Sequence, residues 1–211
     1  MALFVTANQL QVKMSEIKAA DVKALRERTG AGMMDCKRAL QENSGDVEAA
    51  VEWLRKKGAA SAERRAGREA REGVVEAYIH HSRNVGVLVE LNCETDFVAR
   101  NDEFRELARD LAMHIAASDP IAVSREDIPA DIVERERSIY LGQVKEEGKP
   151  DHIADKIVEG KLRKYFEERT LVEQKYVKDP EVTVADRIQE TQAKLGEKIA
   201  VGRFARYKIG E

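Results

Sequence analysis

The sequence predicts an α+β protein: a small N-terminal three-helix domain, then a basic linker, then a core in which a small antiparallel sheet is packed by helices. Three observations carry this. Apolar residues recur at three- and four-residue intervals from about residue 15 to 57. Residues 55–73 hold almost no large apolar side chain. Beyond them strands and helices segregate instead of alternating as βαβ units.

Residues 1–14 are expected to be an extension, and Met14 could itself serve as a start. They show neither a basic n-region nor a continuous apolar run, so neither a signal peptide nor a membrane helix is supported, and a cytoplasmic location is expected. In residues 15–57, Val22 and Leu25, then Met33, Cys36, Ala39 and Leu40, then Val47, Ala50, Val51 and Leu54 mark three short amphipathic helices. "TGAG" at 29–32 closes the first. "NSGD" at 43–46 closes the second and offers Ser44 or Asp46 as N-cap of the third. A unit of this size buries little surface, as docking modules commonly do.

The stretch 58–73 reads as a linker with room for some helix. From residue 55 it carries seven Lys or Arg against three Glu. An RNA-binding arm is the sharper alternative. It lacks an aromatic platform for stacking, so the linker is favoured and nucleic acid is not an expected partner.

The remainder, 74–211, is expected to form the core. "GVVEAYIHHSRNVGVLVELNC" alternates about a turn, predicting a β-hairpin over 74–80 and 85–93. Phe104, Leu107, Ala108, Leu111 and Ile115 form a helical stripe that ends before Pro120. Helices follow at 130–147 and 151–169, with Ile132, Ile139, Tyr140, Val144, Ile153, Ile157, Leu162, Tyr165 and Phe166 inward. A last helix spans about 183–195. A C-terminal strand then places Ile199, Val201, Arg203, Ala205, Tyr207 and Ile209 on one face.

Composition restricts the chemistry. With 36% charged and 43% hydrophobic residues the 211-residue chain is neither disordered nor, at a net charge of −3, a general nucleic-acid binder. Cys36 and Cys93 stand far apart, without the spacing of a zinc site or disulfide framework. No phosphate-binding glycine loop occurs, so direct nucleotide binding is not expected, nor is any cofactor or resident metal. A thiol nucleophile at Cys93, with His80 or His81 and Asp96, is conceivable, but a buried inert cysteine is favoured. The two histidines alternate across a strand and so cannot chelate one metal together.

Phe97 poses the sharpest question. It follows Glu94, Thr95 and Asp96 at a strand-to-helix junction and stands seven residues before Phe104. One reading makes it a plug over the hairpin, with Thr95 or Asp96 as N-cap; aromatics usually pack inward, which favours this from chemistry alone. The other makes it an exposed anchor for a partner's pocket. Met33 and Met34 pose a similar choice, because adjacent residues cannot both face squarely inward.

"LRERTGAGMMDCKRAL" and "NCETDFVARNDEF" closely resemble the two signature stretches of the bacterial elongation factor Ts family. "AMHIAAS", "EGKP" and "IVEGKLRKYFEE" look like the same family farther along, so the resemblance covers about residues 15–210. It implies a guanine-nucleotide exchange factor for elongation factor Tu, with no covalent chemical step and hence no catalytic residue. Residues 15–57 would be a ubiquitin-associated-like domain docking on the partner's G domain through Met33 and Met34. Thr95, Asp96, Phe97 and Val98 would be the intruding element. Phe97 would enter between G-domain helices, and Asp96 would help rearrange the groups around the partner's magnesium. His81 lies in a segment similar to one making a further partner contact. The resemblance thus reverses the order of the two readings of Phe97. The longer members carry two related core subdomains, whereas the core occurs once here, as in shorter members that pair as homodimers; a homodimer is expected.

Overall fold

The computed structural model describes residues 17–211, so the expected extension 1–14 lies outside the described residues, as do the side chains at 59, 61–63, 66 and 151. By internal contact the chain divides into two units, Met1–Ser61 and Ala62–Glu211.

In the first unit α1 (Ala19–Thr29), α2 (Met33–Glu42) and the first part of α3 (Val47–Ala66) enclose a core of Val22, Leu25, Cys36, Ala39, Leu40, Ala50 and Leu54. Gly30 ends α1 at φ 66°, a left-handed turn that glycine adopts without penalty, and its N–H bonds Arg26 O at 2.8 Å. Asp46 caps α3 by accepting the Ala49 N–H at 3.0 Å. Met33, expected on the core stripe, is instead 45% exposed. It is the first residue of α2, and a side chain there leans out past the helix start, beyond the point where the stripe begins to bury at Cys36. Helix α3 also runs past the expected end of the third helix, to Ala66. "AASAERRA" lacks large apolar side chains but is rich in strong helix formers.

In the second unit β1 (Glu72–Ile79) and β2 (Val85–Cys93) pair antiparallel from Glu72↔Cys93 to Ile79↔Gly86. The C-terminal strand β5 (Ala200–Lys208) adds antiparallel to the other edge of β2, giving the order β1-β2-β5. Val87, Val89, Leu91 and Cys93 form the buried face of the central strand. Against them pack Phe104, Leu107, Leu111 and Ile115 of α5 (Asp102–Ser118) and Val184 and Ile188 of α8 (Val184–Leu195). Helices α6 (Ala130–Glu146) and α7 (Asp151–Arg169) form an antiparallel hairpin with its own small core of Val144, Ala154, Val158 and Leu162. Ile139, expected inward, is exposed there. A short hairpin of β3 (Lys175–Tyr176) and β4 (Asp179–Thr183) follows, which alternation does not reveal because the strands are too short.

Two further expectations need correction. Strand β5 does not keep one face from Ile199 to Ile209. Its register against β2 shifts between Glu90 and Leu91, which face Arg203 and Val201, leaving Gly202 as the extra residue of a bulge. Ile199 and Val201 therefore pack inward, whereas Tyr207 faces outward with Leu88 and Ile79. The second concerns His80 and His81, which do not point to opposite faces. The chain leaves β1 at Ile79, so strand alternation ends there, and the two rings lie 4.1 Å apart between centroids.

Candidate functional site

The junction that holds Phe97 is built in steps. Strand β2 delivers Cys93 into the core, where its Sγ donates to Thr95 O at 3.2 Å. Thr95 then caps a single helical turn, α4 (Asp96–Ala99), its hydroxyl accepting the Val98 N–H at 3.4 Å. The turn stops because Asn101 starts a second helix, α5, accepting the Glu103 N–H at 2.8 Å. Within α4, Val98 packs on the core and Ala99 is buried. At about 100° per residue, a turn that faces inward midway between 98 and 99 points residue 97 about 150° away. Phe97 is accordingly 81% exposed. It plugs nothing.

The corner is braced from the α8–β5 connection. Glu197 accepts the backbone N–H of Glu94 at 3.1 Å and of Thr95 at 3.0 Å through Oε2, and the Thr95 hydroxyl at 2.6 Å through Oε1. In return Glu94 Oε1 accepts the Lys198 N–H at 2.6 Å, and the Arg68 guanidinium approaches the same carboxylate at 3.2 Å. These bonds hold the Glu94 carboxyl below the usual range, the Lys198 amide being the main cause. Asp96 pairs with Arg100 at 2.9 Å. Burial, reinforced by the Glu197 carboxylate, pushes the Cys93 thiol up to about 11, so it is held protonated and unreactive. The imagined histidine partners stand at the other end of β2.

Thr95, Asp96, Phe97 and Val98 are therefore brought together on one corner. His81 is not: it is exposed in the β1–β2 turn, separated from the corner by the length of β2, about 26 Å at a strand rise of about 3.3 Å. Met33 and Met34 stand side by side at the start of α2 in the first unit, and Met34 is 74% exposed. Glu197 escapes a sequence reading because it bonds residues about a hundred positions away. Asn101 could have been found: Asn followed by Asp102 and Glu103 is an N-cap with an acidic first turn. Among the described residues no cluster of His, Cys, Asp and Glu is arranged to hold a metal ion, and no helix is long and apolar enough to cross a membrane.

A rigid corner that exposes an aromatic ring and keeps its one thiol inert has the form of a contact element. The sequence model of the family described as Elongation factor TS matches residues 7–211. The chain is 56% identical over 198 residues to an elongation factor Ts of Desulfosudis oleivorans, covering 94% of this chain and 100% of that one. It is 56% identical over 196 residues to one of Fervidobacterium nodosum, covering 93% and 100%. Against one of Carboxydothermus hydrogenoformans it is 57% identical over 190 residues, covering 90% and 88%. The chain belongs to the elongation factor Ts family.

Proposed function

We propose that this chain is a guanine-nucleotide exchange factor of translation elongation that binds elongation factor Tu carrying GDP and promotes release of the nucleotide. Family membership supports the partner. The observation that carries the mode of action is the 81% exposure of Phe97 on a corner whose next two residues, Val98 and Ala99, pack inward. Phe97 enters the partner's G domain, Thr95 and Val98 hold the turn that presents it, and Asp96 disturbs the groups around the partner's magnesium. Once that cation is displaced, the phosphates of GDP lose the charge that neutralised them. The ubiquitin-associated-like unit docks through Met33 and Met34, and His81 supplies a separate contact. No covalent step and no cofactor are required, the chain does not itself bind nucleotide, and the site of action is the cytoplasm.

Exchange of this kind is a linkage between two ligands. Whatever factor the exchange protein takes from GDP affinity, GDP takes from affinity for the exchange protein. Each tenfold loosening needs about 1.4 kcal/mol of contact made only with the opened partner. An aromatic anchor is of that order, about 2 kcal/mol or more.

The test is release of labelled GDP from elongation factor Tu with and without this chain. Release should accelerate with the native chain and slow by about thirtyfold on Phe97→Ala, the rate equivalent of about 2 kcal/mol. The thermal midpoint of the variant should stay near that of the parent. Equal release rates for the two would refute the corner's role.

A second copy of the chain is the further partner we infer. The outer face of the sheet exposes Val75, Ile79, Leu88 and Tyr207, with Ile209 just beyond, and such an apolar face favours being covered.

A further inference from the structure

We propose that Glu197 is the positioning residue of the Phe97 corner, fixing the direction of the ring before a partner arrives; this rests on the corner being the element that enters elongation factor Tu. A lone helical turn is not stable by its own hydrogen bonds. Helix α4 has four residues, and Phe97 gains nothing from packing. Val98 and Ala99 seat the turn on the core, but the strand end that leads into it is fixed from elsewhere in the chain. Glu197 places one carboxylate against three donors, the Glu94 and Thr95 amides and the Thr95 hydroxyl, and charge-assisted bonds of this kind are the stronger class. The residue is itself firmly placed. Gly196 ends α8 in a left-handed turn at φ 79°, the Lys198 amide is tied to Glu94 at 2.6 Å, and Ile199 is buried in the core. The same Thr95 hydroxyl that donates to Glu197 caps α4, so the carboxylate also fixes the rotamer on which the cap depends.

The kinetic signature follows from population. If only a fraction of molecules present the ring correctly, the apparent dissociation constant rises by the inverse of that fraction, while the fully bound complex reacts as before. Glu197→Ala should raise KM for elongation factor Tu·GDP by about tenfold or more, corresponding to a presenting fraction of about a tenth, and leave kcat within about twofold. Amide hydrogen exchange should show protection lost at Glu94 and Thr95 and kept at Val87 and Val89. Glu197→Gln keeps the reach, its oxygen accepting the two amides and its NH2 donating to Thr95, and should bring KM most of the way back, short of the charge-assisted part. Glu197→Asp keeps the charge but loses the reach and should not. This pair also serves if the alanine variant fails to fold. In a Phe97→Ala background, Glu197→Ala should leave KM unchanged, because no ring remains to be aimed. Equal KM increases in both backgrounds, or a normal KM for both Glu197→Ala and Glu197→Asp while Phe97→Ala still slows exchange, would overturn the positioning role alone. A silent Phe97→Ala would overturn the corner's role and this one together.

Discussion

His114 is fully buried on α5, with both ring nitrogens engaged. Nδ1 accepts the Val177 N–H at 3.1 Å, so Nε2 carries the proton and donates to Gln174 Oε1 at 2.9 Å. Burial holds its pKa below the ordinary value of 6.5, since the charged ring would be desolvated and would lose its acceptor role. The unfolded chain takes up a proton near 6.5 and the folded chain resists it. Stability is therefore full above that pH and falls as the pH drops from it through the lower folded value. Denaturant titrations between pH 7.5 and 5.5 should show a decline of up to about 1.4 kcal/mol per pH unit. His114→Gln should be less stable at pH 7.5 but flatter in its pH profile. Chemistry of this kind was invisible in the sequence, because Val177 and Gln174 lie about sixty positions away. Phe97 was misread from chemistry alone for a different reason. Aromatics usually pack inward, but Phe97 stands on a lone turn between strand and helix whose inward side is taken by Val98 and Ala99.

At the scale of elements, the sheet depends on one close approach. Gly73 in β1 lies at φ 155°, and a Cβ there would stand 2.2 Å from Leu91 O and 2.9 Å from Asn92 Cα. Both are backbone atoms of the central strand and cannot turn aside. Gly73→Ala should destabilise the fold by at least about 2 kcal/mol, read as a lowered thermal midpoint, because β1 must separate from β2 where the corner begins. The large elements were legible wherever a long period ran unbroken, as in α5, β2 and the α6–α7 pair. They became illegible where one residue changed the phase. Gly202 adds a residue to β5 and turns the second half of the strand over, so alternation counted from Ile199 assigns Tyr207 to the wrong side. "AERRA", read as a linker with room for some helix, continues α3 because it is rich in strong helix formers.

For the whole molecule, the α+β class followed from the segregation of strands and helices. The proposed site rests on two signature stretches whose resemblance outweighed what periodicity could offer. The expected pairing of two chains turns on Leu88, which stands in the middle strand and is exposed among Val75, Ile79 and Tyr207. Leu88→Glu should convert a dimer into a monomer in sedimentation at micromolar concentration. It should also remove the rise of thermal midpoint with concentration that a dimer shows. A parent chain that sediments as a monomer would reject the pairing.

The bonds from Glu197 to Thr95 join positions about a hundred residues apart, and that separation sets a clock on synthesis. At about 5–20 residues per second, the ring-bearing signature is synthesised some 5–20 seconds before the residue that braces it. A nascent or truncated chain ending before Glu197 would carry the whole "TDFV" stretch with its ring unaimed. On the role proposed for the corner, such an unfinished copy would meet the partner more weakly than a complete one.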